Sequence, residues 1–188
     1  MQHKIYALFD FDLNQKKGYS IDQFLNLPKV KQAPLLQYRD KSNSFDKKLE
    51  NIIYLKERFN GKLIVNDELE LAKYADGLHV GQNDVLRYET TIEKSILRLR
   101  MLLKDKILGL STHNVAEIMI ANKLPLDYVG LGAYRKTNTK NVKDILSNNI
   151  STIASVSKHD VCGIGGVKST DKIPHVKYLV LGSNLYEN

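Results

Sequence analysis

The chain carries few of the devices that staple or anchor a protein. Cys162 is the single cysteine among 188 residues, so no intramolecular disulfide and no cysteine-based zinc cluster can form. It lies in the apolar run VCGIGGV, where a small buried hydrophobe is expected rather than a nucleophilic thiol. No apolar run approaches the roughly 18–20 residues that cross a bilayer. The N-terminal stretch MQHKIYALFDFDLNQKKGYS is interrupted by Asp10 and Asp12, too early for a signal-peptide core. These absences predict a cytoplasmic protein without a membrane partner. Tryptophan is missing, and the lysines behind a net charge of +7 are scattered in pairs rather than gathered into a basic tract. That pattern excludes an evident nucleic-acid partner, because aromatic residues are not interleaved with the basic ones.

What is present is ordinary globular composition, 43% hydrophobic and 26% charged, in a length that favours one domain over residues 1–188. Short apolar runs alternate with amphipathic stretches. Strands are predicted at 5–9, 34–38, 62–66, 77–81, 106–111, 127–132, 161–166 and 177–182. They are mostly continuous rather than alternating, as suits strands of a parallel sheet covered on both faces. Ser20 with Gln23, and Thr90 with Glu93, are candidate capping boxes, and Asn114 a third N-cap. Ile92, Ile96, Leu99 and Leu103 form one helical stripe, and Phe45, Leu49, Ile52, Ile53 and Phe59 another. Eight strands with intervening helices predict an α/β fold, a compact (β/α)8 TIM barrel without a full last helix, with a doubly wound sheet as the alternative. The missing outer cover predicts an exposed apolar patch and a possible homodimer.

Polar residues collect where seven of these strands end, and in a parallel barrel those ends open on one mouth. Asp67 and Asp84 follow neighbouring strands and offer hard oxygen ligands suited to Mg²⁺ shared with phosphates. The alternative is that they cap the helices that follow. Arg39 and Lys41 sit two apart in an extended segment and, with Lys140, offer charged donors to phosphate oxygens. Thr137 and Thr139 add hydroxyls, while GIGG and LGSN stand in the two last loops, where barrels often hold phosphate. His113 is either a general acid or base or a hydrogen-bonded structural residue, and His79 falls in an inward-facing pattern.

The elements QYRDK, VND, GLHVGQND, GLSTHN, DYVGLGAYRKTNTK and GIGGV, in this order along the chain, resemble the thiamine phosphate synthase family, which includes the TenI-type thiazole tautomerases. The resemblance implies a transferase that joins hydroxymethylpyrimidine diphosphate to hydroxyethylthiazole phosphate with release of pyrophosphate. It implies that Gln37, Arg39 and Lys41 hold the pyrophosphate of the pyrimidine, with Asn66 and His79 near the ring. It implies Asp67 and Asp84 as Mg²⁺ ligands. Ser111, Thr137, Thr139, Lys140, Gly166, Gly182 and Ser183 would contact phosphate groups, and Arg39, Lys41 and Lys140 would stabilise the leaving group. Two departures stand out: Ala133 where the family usually has proline, and Asp40 where it commonly has glutamate. The alternatives are a TenI-type tautomerase with His113 as its base, and a catalytically weak paralogue that binds thiazole or thiamine phosphate.

Overall fold

Eight parallel strands hydrogen-bond in sequence order and close on themselves, β1 pairing with both β2 and β8. The computed structural model describes residues 2–136 and 145–187. The strands are β1 Lys4–Asp10, β2 Leu35–Arg39, β3 Lys62–Asn66, β4 Gly77–Val80, β5 Ile107–Thr112, β6 Tyr128–Leu131, β7 Asp160–Gly163 and β8 Tyr178–Leu181. All eight expected strands are found, within three residues at either end.

Helices α1 Phe11–Lys16, α2 Ile21–Leu25 and α3 Pro28–Lys31 link β1 to β2, and α4 Phe45–Arg58 links β2 to β3. The short α5 Leu69–Ala72, α6 Ile92–Leu103, α7 Val115–Ala121 and α8 Asn149–Ser155 follow in the next connections. Among the described residues the link from β7 to β8 contains no helix, and β8 is followed by a 3-10 turn, Ser183–Tyr186. The barrel is thus thinly covered on that side, an extension of the expected loss of the last helix. No helix among the described residues is long and apolar enough to cross a membrane.

Strand alternation builds two cores. Tyr6, Leu35, Ile64, Tyr128, Cys162 and Val180 point into the barrel and pack together. Their neighbours along each strand, such as Ala7, Leu36, Leu63, Leu78, Leu108, Val129 and Leu179, point outward against the helices. Because both sides are covered, the strands read as near-continuous apolar runs. Cys162 is fully buried and its thiol is pushed well above the usual range by that burial, the expected inert hydrophobe.

The α2 capping box forms as expected between Ser20 and Gln23, and Asn114 caps α7 through the Glu117 N–H. The cap of α6 is Thr91 rather than Thr90, its hydroxyl accepting from the Lys94 N–H. The shift by one residue leaves the stripe of Ile96, Leu99 and Leu103 buried as expected. On α4 the inward stripe is Asn51, Ile52 and Leu55; Ile53 is exposed because it lies off that face, and Phe45 is exposed as the first residue of the helix.

Candidate active site

The site is built where β2, β3 and β4 end. β3 finishes on Asn66, and Asp67 follows with φ of +62°, a left-handed conformation that costs a non-glycine residue about 1–3 kcal/mol. Three hydrogen bonds hold it there: its N–H donates to the His79 carbonyl at 2.8 Å, its Oδ1 accepts from the Gly81 N–H at 3.0 Å, and its carbonyl accepts from the Tyr88 hydroxyl at 2.7 Å. The other carboxylate oxygen, Oδ2, faces the Lys41 ammonium at 2.9 Å and also accepts from the Asn66 amide. Burial alone would raise this carboxyl, but Lys41 and the Gly81 N–H outweigh it and hold Asp67 below the usual carboxylate range.

Asp84 lies three residues beyond Gly81 in the chain. A Cβ on Gly81 would stand 2.9 Å from Asp84 Oδ2 and 3.8 Å from Asp67 Oδ1. The two carboxylates therefore converge over a glycine whose missing side chain gives them the space. Neither acid is a helix cap: Glu68 occupies the N-cap of α5, and Asp84 at the head of the Val85–Arg87 turn makes no side-chain cap bond. Asp84 instead pairs with Arg87 at 2.6 Å. The expected grouping of Asn66, Asp67, Lys41 and Asp84 is thus realised.

Arg39, at the end of β2, forms an ion pair with the buried Asp10, whose Oδ1 also caps α1. Asp40, where the sequence departs from the family pattern, points away into a framework. Its carboxylate accepts from the Tyr38 hydroxyl at 2.7 Å, from the Asn43 amide, and from the N–H groups of Ser42 and Asn43. Burial raises this carboxyl and these four donors lower it further, leaving a net depression. The result is a rigid turn that presents Arg39 and Lys41 on the mouth side.

Below the mouth lies a run of hydrogen bonds across the barrel interior. The Gln37 amide donates to the Tyr6 hydroxyl at 3.1 Å, Tyr6 and Tyr128 hydroxyls are 2.9 Å apart, and Tyr128 is 3.0 Å from His79 Nδ1. His79 Nε2 is in turn 2.9 Å from Ser111 Oγ. The expected residues Gln37, His79 and Ser111 are therefore brought together by two tyrosines that sequence reasoning did not single out. The available signal was Gly109: a Cβ there would come within 2.2 Å of the Tyr128 ring, so β5 yields space to that ring. Burial raises both phenols far above their usual range, and both stay protonated.

On the adjoining strand His113 follows β5, and its Nδ1 lies 3.0 Å from Glu117 on α7. Gly166 has φ of +64°, and a Cβ there would strike Arg135 Cβ at 2.8 Å and the Lys136 carbonyl at 3.1 Å. Arg135 clamps this turn by donating to the Gly166 carbonyl and, in bidentate fashion, to Asp171 at 2.7 and 2.8 Å. Gly182 and Ser183 open the turn after β8, Ser183 exposed. Thr137, Thr139 and Lys140 lie outside the described residues.

The arrangement can bind polyanions. It sets two cations, Lys41 and Arg39, beside two convergent carboxylates that could hold a hard divalent cation. Among the described residues no three His, Cys, Asp or Glu side chains form a metal cage. Two carboxylates fit an ion such as Mg²⁺, which keeps waters and takes further ligands from phosphate oxygens.

The sequence profile of the thiamine monophosphate synthase family matches residues 20–177. A thiamine-phosphate synthase of Clostridium botulinum is 31% identical over 175 residues, covering 89% of this chain and 76% of that protein. The thiamine-phosphate synthase of Persephonella marina is 33% identical over 143 residues, 72% of this chain and 64% of its own length. Among solved structures, a thiamine phosphate pyrophosphorylase from Pyrococcus furiosus shares the fold, with a TM-score of 0.70 at 17% identity over 96% of this chain and 85% of that one.

Proposed function

The chain belongs to the thiamine monophosphate synthase family, and from that premise we propose that it couples hydroxymethylpyrimidine diphosphate to hydroxyethylthiazole phosphate, forming thiamine phosphate and pyrophosphate. The observation that carries this reading is the grouping of Lys41, Asp67 and Asp84 around Gly81.

The reaction breaks the C–O bond between the pyrimidine methylene and the pyrophosphate, which leaves with the electron pair. The thiazole nitrogen supplies its lone pair to the methylene carbon, so a C–N bond forms and no proton need be removed from the nucleophile. The protein's task is then electrostatic: to meet charge that gathers on the pyrophosphate. Lys41 and Arg39 stand where they can donate to its oxygens, and each is already held in place by a carboxylate partner. Asp67 and Asp84 would hold Mg²⁺, which when bound supplies further positive charge to the leaving group. Asn66 orients the pyrimidine from the end of β3, with the buried Gln37 beneath it, and Ser111, Gly166 and Ser183 are the candidates for contact with phosphate groups. The covalent route through Cys162 has no place, since that thiol is buried.

A homodimer is part of the same reading, supported by Leu97, Met101 and Leu102, which α6 leaves exposed. Sedimentation showing a monomer at micromolar concentration would remove it.

The deciding experiment incubates the protein with both phosphorylated precursors and Mg²⁺ and measures thiamine phosphate and pyrophosphate in equal amounts. No product, with a phosphorylated thiazole still bound, would reject the reading in favour of a tautomerase or a binding paralogue.

A further inference from the structure

We propose that Tyr88 is a positioning residue for the Asp67–Asp84 pair: its hydroxyl ties the strained turn at Asp67 to the segment that carries Asp84, and so sets how the two carboxylates face each other across Gly81. This rests on the reading of the two acids as Mg²⁺ ligands.

Each bond of the tie has a fixed direction. The Asp67 carbonyl can only accept, so the Tyr88 hydroxyl donates to it, at 2.7 Å. The Leu69 N–H can only donate, and it gives its hydrogen to the same phenol oxygen at 3.3 Å. The hydroxyl thus spans the peptide groups on either side of Glu68. Burial raises the phenol above its usual range, so the hydrogen it donates is retained at neutral pH.

The ring is anchored in turn to the segment of Asp84. The Val85 N–H donates to the Gly81 carbonyl at 2.9 Å, the Arg87 N–H to the Asp84 carbonyl at 3.2 Å, and the Tyr88 N–H to the Val85 carbonyl at 3.2 Å. The Tyr88 carbonyl accepts from Arg98 on α6 at 2.9 Å, and the ring packs against the core. Among the described residues, no other side chain of residues 82–91 hydrogen-bonds to the turn after β3.

The need for such a tie lies in Asp67. A non-glycine residue with φ of +62° keeps that conformation only while its neighbours over-determine it. The bonds to His79 and Gly81 fix its N–H and one carboxylate oxygen to the end of β4. They leave its carbonyl side to Tyr88. Asp84 has less support of its own, since its side chain is partly exposed and its ion-pair partner Arg87 is exposed. One phenol therefore joins the two backbone segments whose spacing a shared cation would read.

Binding of Mn²⁺ to the full chain tests this, with the free ion read by its paramagnetic resonance signal. Mn²⁺ shares the preference of Mg²⁺ for carboxylate oxygen. Y88F removes the hydroxyl and keeps the ring. Its dissociation constant for Mn²⁺ should rise about tenfold or more, the usual loss when the partner of a metal ligand is removed. A folded Y88F that melts earlier yet binds Mn²⁺ as wild type does would leave Tyr88 a structural role and overturn the proposal. Coupling is reciprocal, so a tie that strengthens metal binding is itself strengthened by the metal. In wild type, saturating Mg²⁺ should therefore slow hydrogen exchange at the Leu69 N–H by a similar factor. An unchanged exchange rate overturns the proposal even where Y88F does not fold. D67N and D84N separate the two readings. Wild type that binds no Mn²⁺, or no more tightly than both variants, refutes the metal assignment and the proposal with it. Loss of Mn²⁺ in both variants but not in Y88F refutes the proposal alone.

Discussion

Lys41 Nζ and Asp67 Oδ2 stand 2.9 Å apart, a pair drawn from the ends of two adjacent strands with the acid buried and the base half-exposed. Each orients the other, and both face the space over Gly81. Removing the acid charge with Asp67→Asn keeps the shape but leaves Lys41 without its anchor. The coupling rate should fall by about 10²–10³, the usual loss for a group that stabilises developing charge. Pyrophosphate release under saturating precursors and Mg²⁺ measures it, and a rate close to wild type would detach Asp67 from the chemistry.

Gly81→Ala tests the proposed Mg²⁺ site apart from folding. The new methyl would stand 2.9 Å from Asp84 Oδ2, at the end of a side chain that can swing away. The backbone has no left-handed requirement at Gly81, so the fold should persist with little change in Tm. The Mg²⁺ concentration for half-maximal rate should rise by about tenfold or more, in the range expected when metal ligands are misplaced. An unchanged requirement would count against a site shared by Asp67 and Asp84.

Asp40→Ala tests the framework beneath the basic turn. It strands the Tyr38 hydroxyl and two backbone N–H groups, and an unsatisfied buried donor costs about 1–3 kcal/mol. Chemical denaturation should show a loss in that range. Asp40→Glu, the residue common in the family, should recover only part of it, because the extra methylene moves the carboxylate from the point where these four donors meet.

Acid should weaken the fold in a defined window. Asp40, Asp67, Asp76 and Asp171 all have carboxyls held below the ordinary range in the folded chain: burial is outweighed in the first three, and the Arg135 guanidinium dominates in the fourth. A depressed folded value means the unfolded chain binds protons first as pH drops. Their contribution is therefore fully present above about pH 4, the ordinary carboxylate value, and is lost as pH falls through the depressed values. Urea midpoints measured from pH 6 down to pH 3 should decline most steeply below about pH 4. A flat profile would show that these pairs do not stabilise the fold.

Gly109→Ala should disturb the barrel floor. The added Cβ would lie 2.2–2.6 Å from three atoms of the Tyr128 ring, which has Tyr6 and His79 on its other sides. Overpacking of this kind costs about 1–3 kcal/mol. The Tm should drop, and the His79 resonances should move with it. Unaltered spectra would mean that the ring has room that the geometry does not show.

The eight strands, their order and the identity of the mouth were legible in the chain itself, because alternation and continuous apolar runs are local signals that survive without knowledge of the partner strand. So was the placing of Asp67 and Asp84 just past neighbouring strands, since residues that follow parallel strands open on one end of a barrel. The motif resemblance added roles to Gln37, Arg39 and Lys41 that spacing alone could not supply. What only the tertiary structure decided were pairings through space. Whether Asp67 caps the helix that follows depended on which N–H its side chain met, and it met that of Gly81 on the neighbouring strand's end instead. Tyr6 and Tyr128 are 122 positions apart and look like ordinary strand residues. Closure of the barrel brings β1, β4 and β6 inward to one level. There a buried hydroxyl must find a partner, and this turns two core tyrosines into the support of His79.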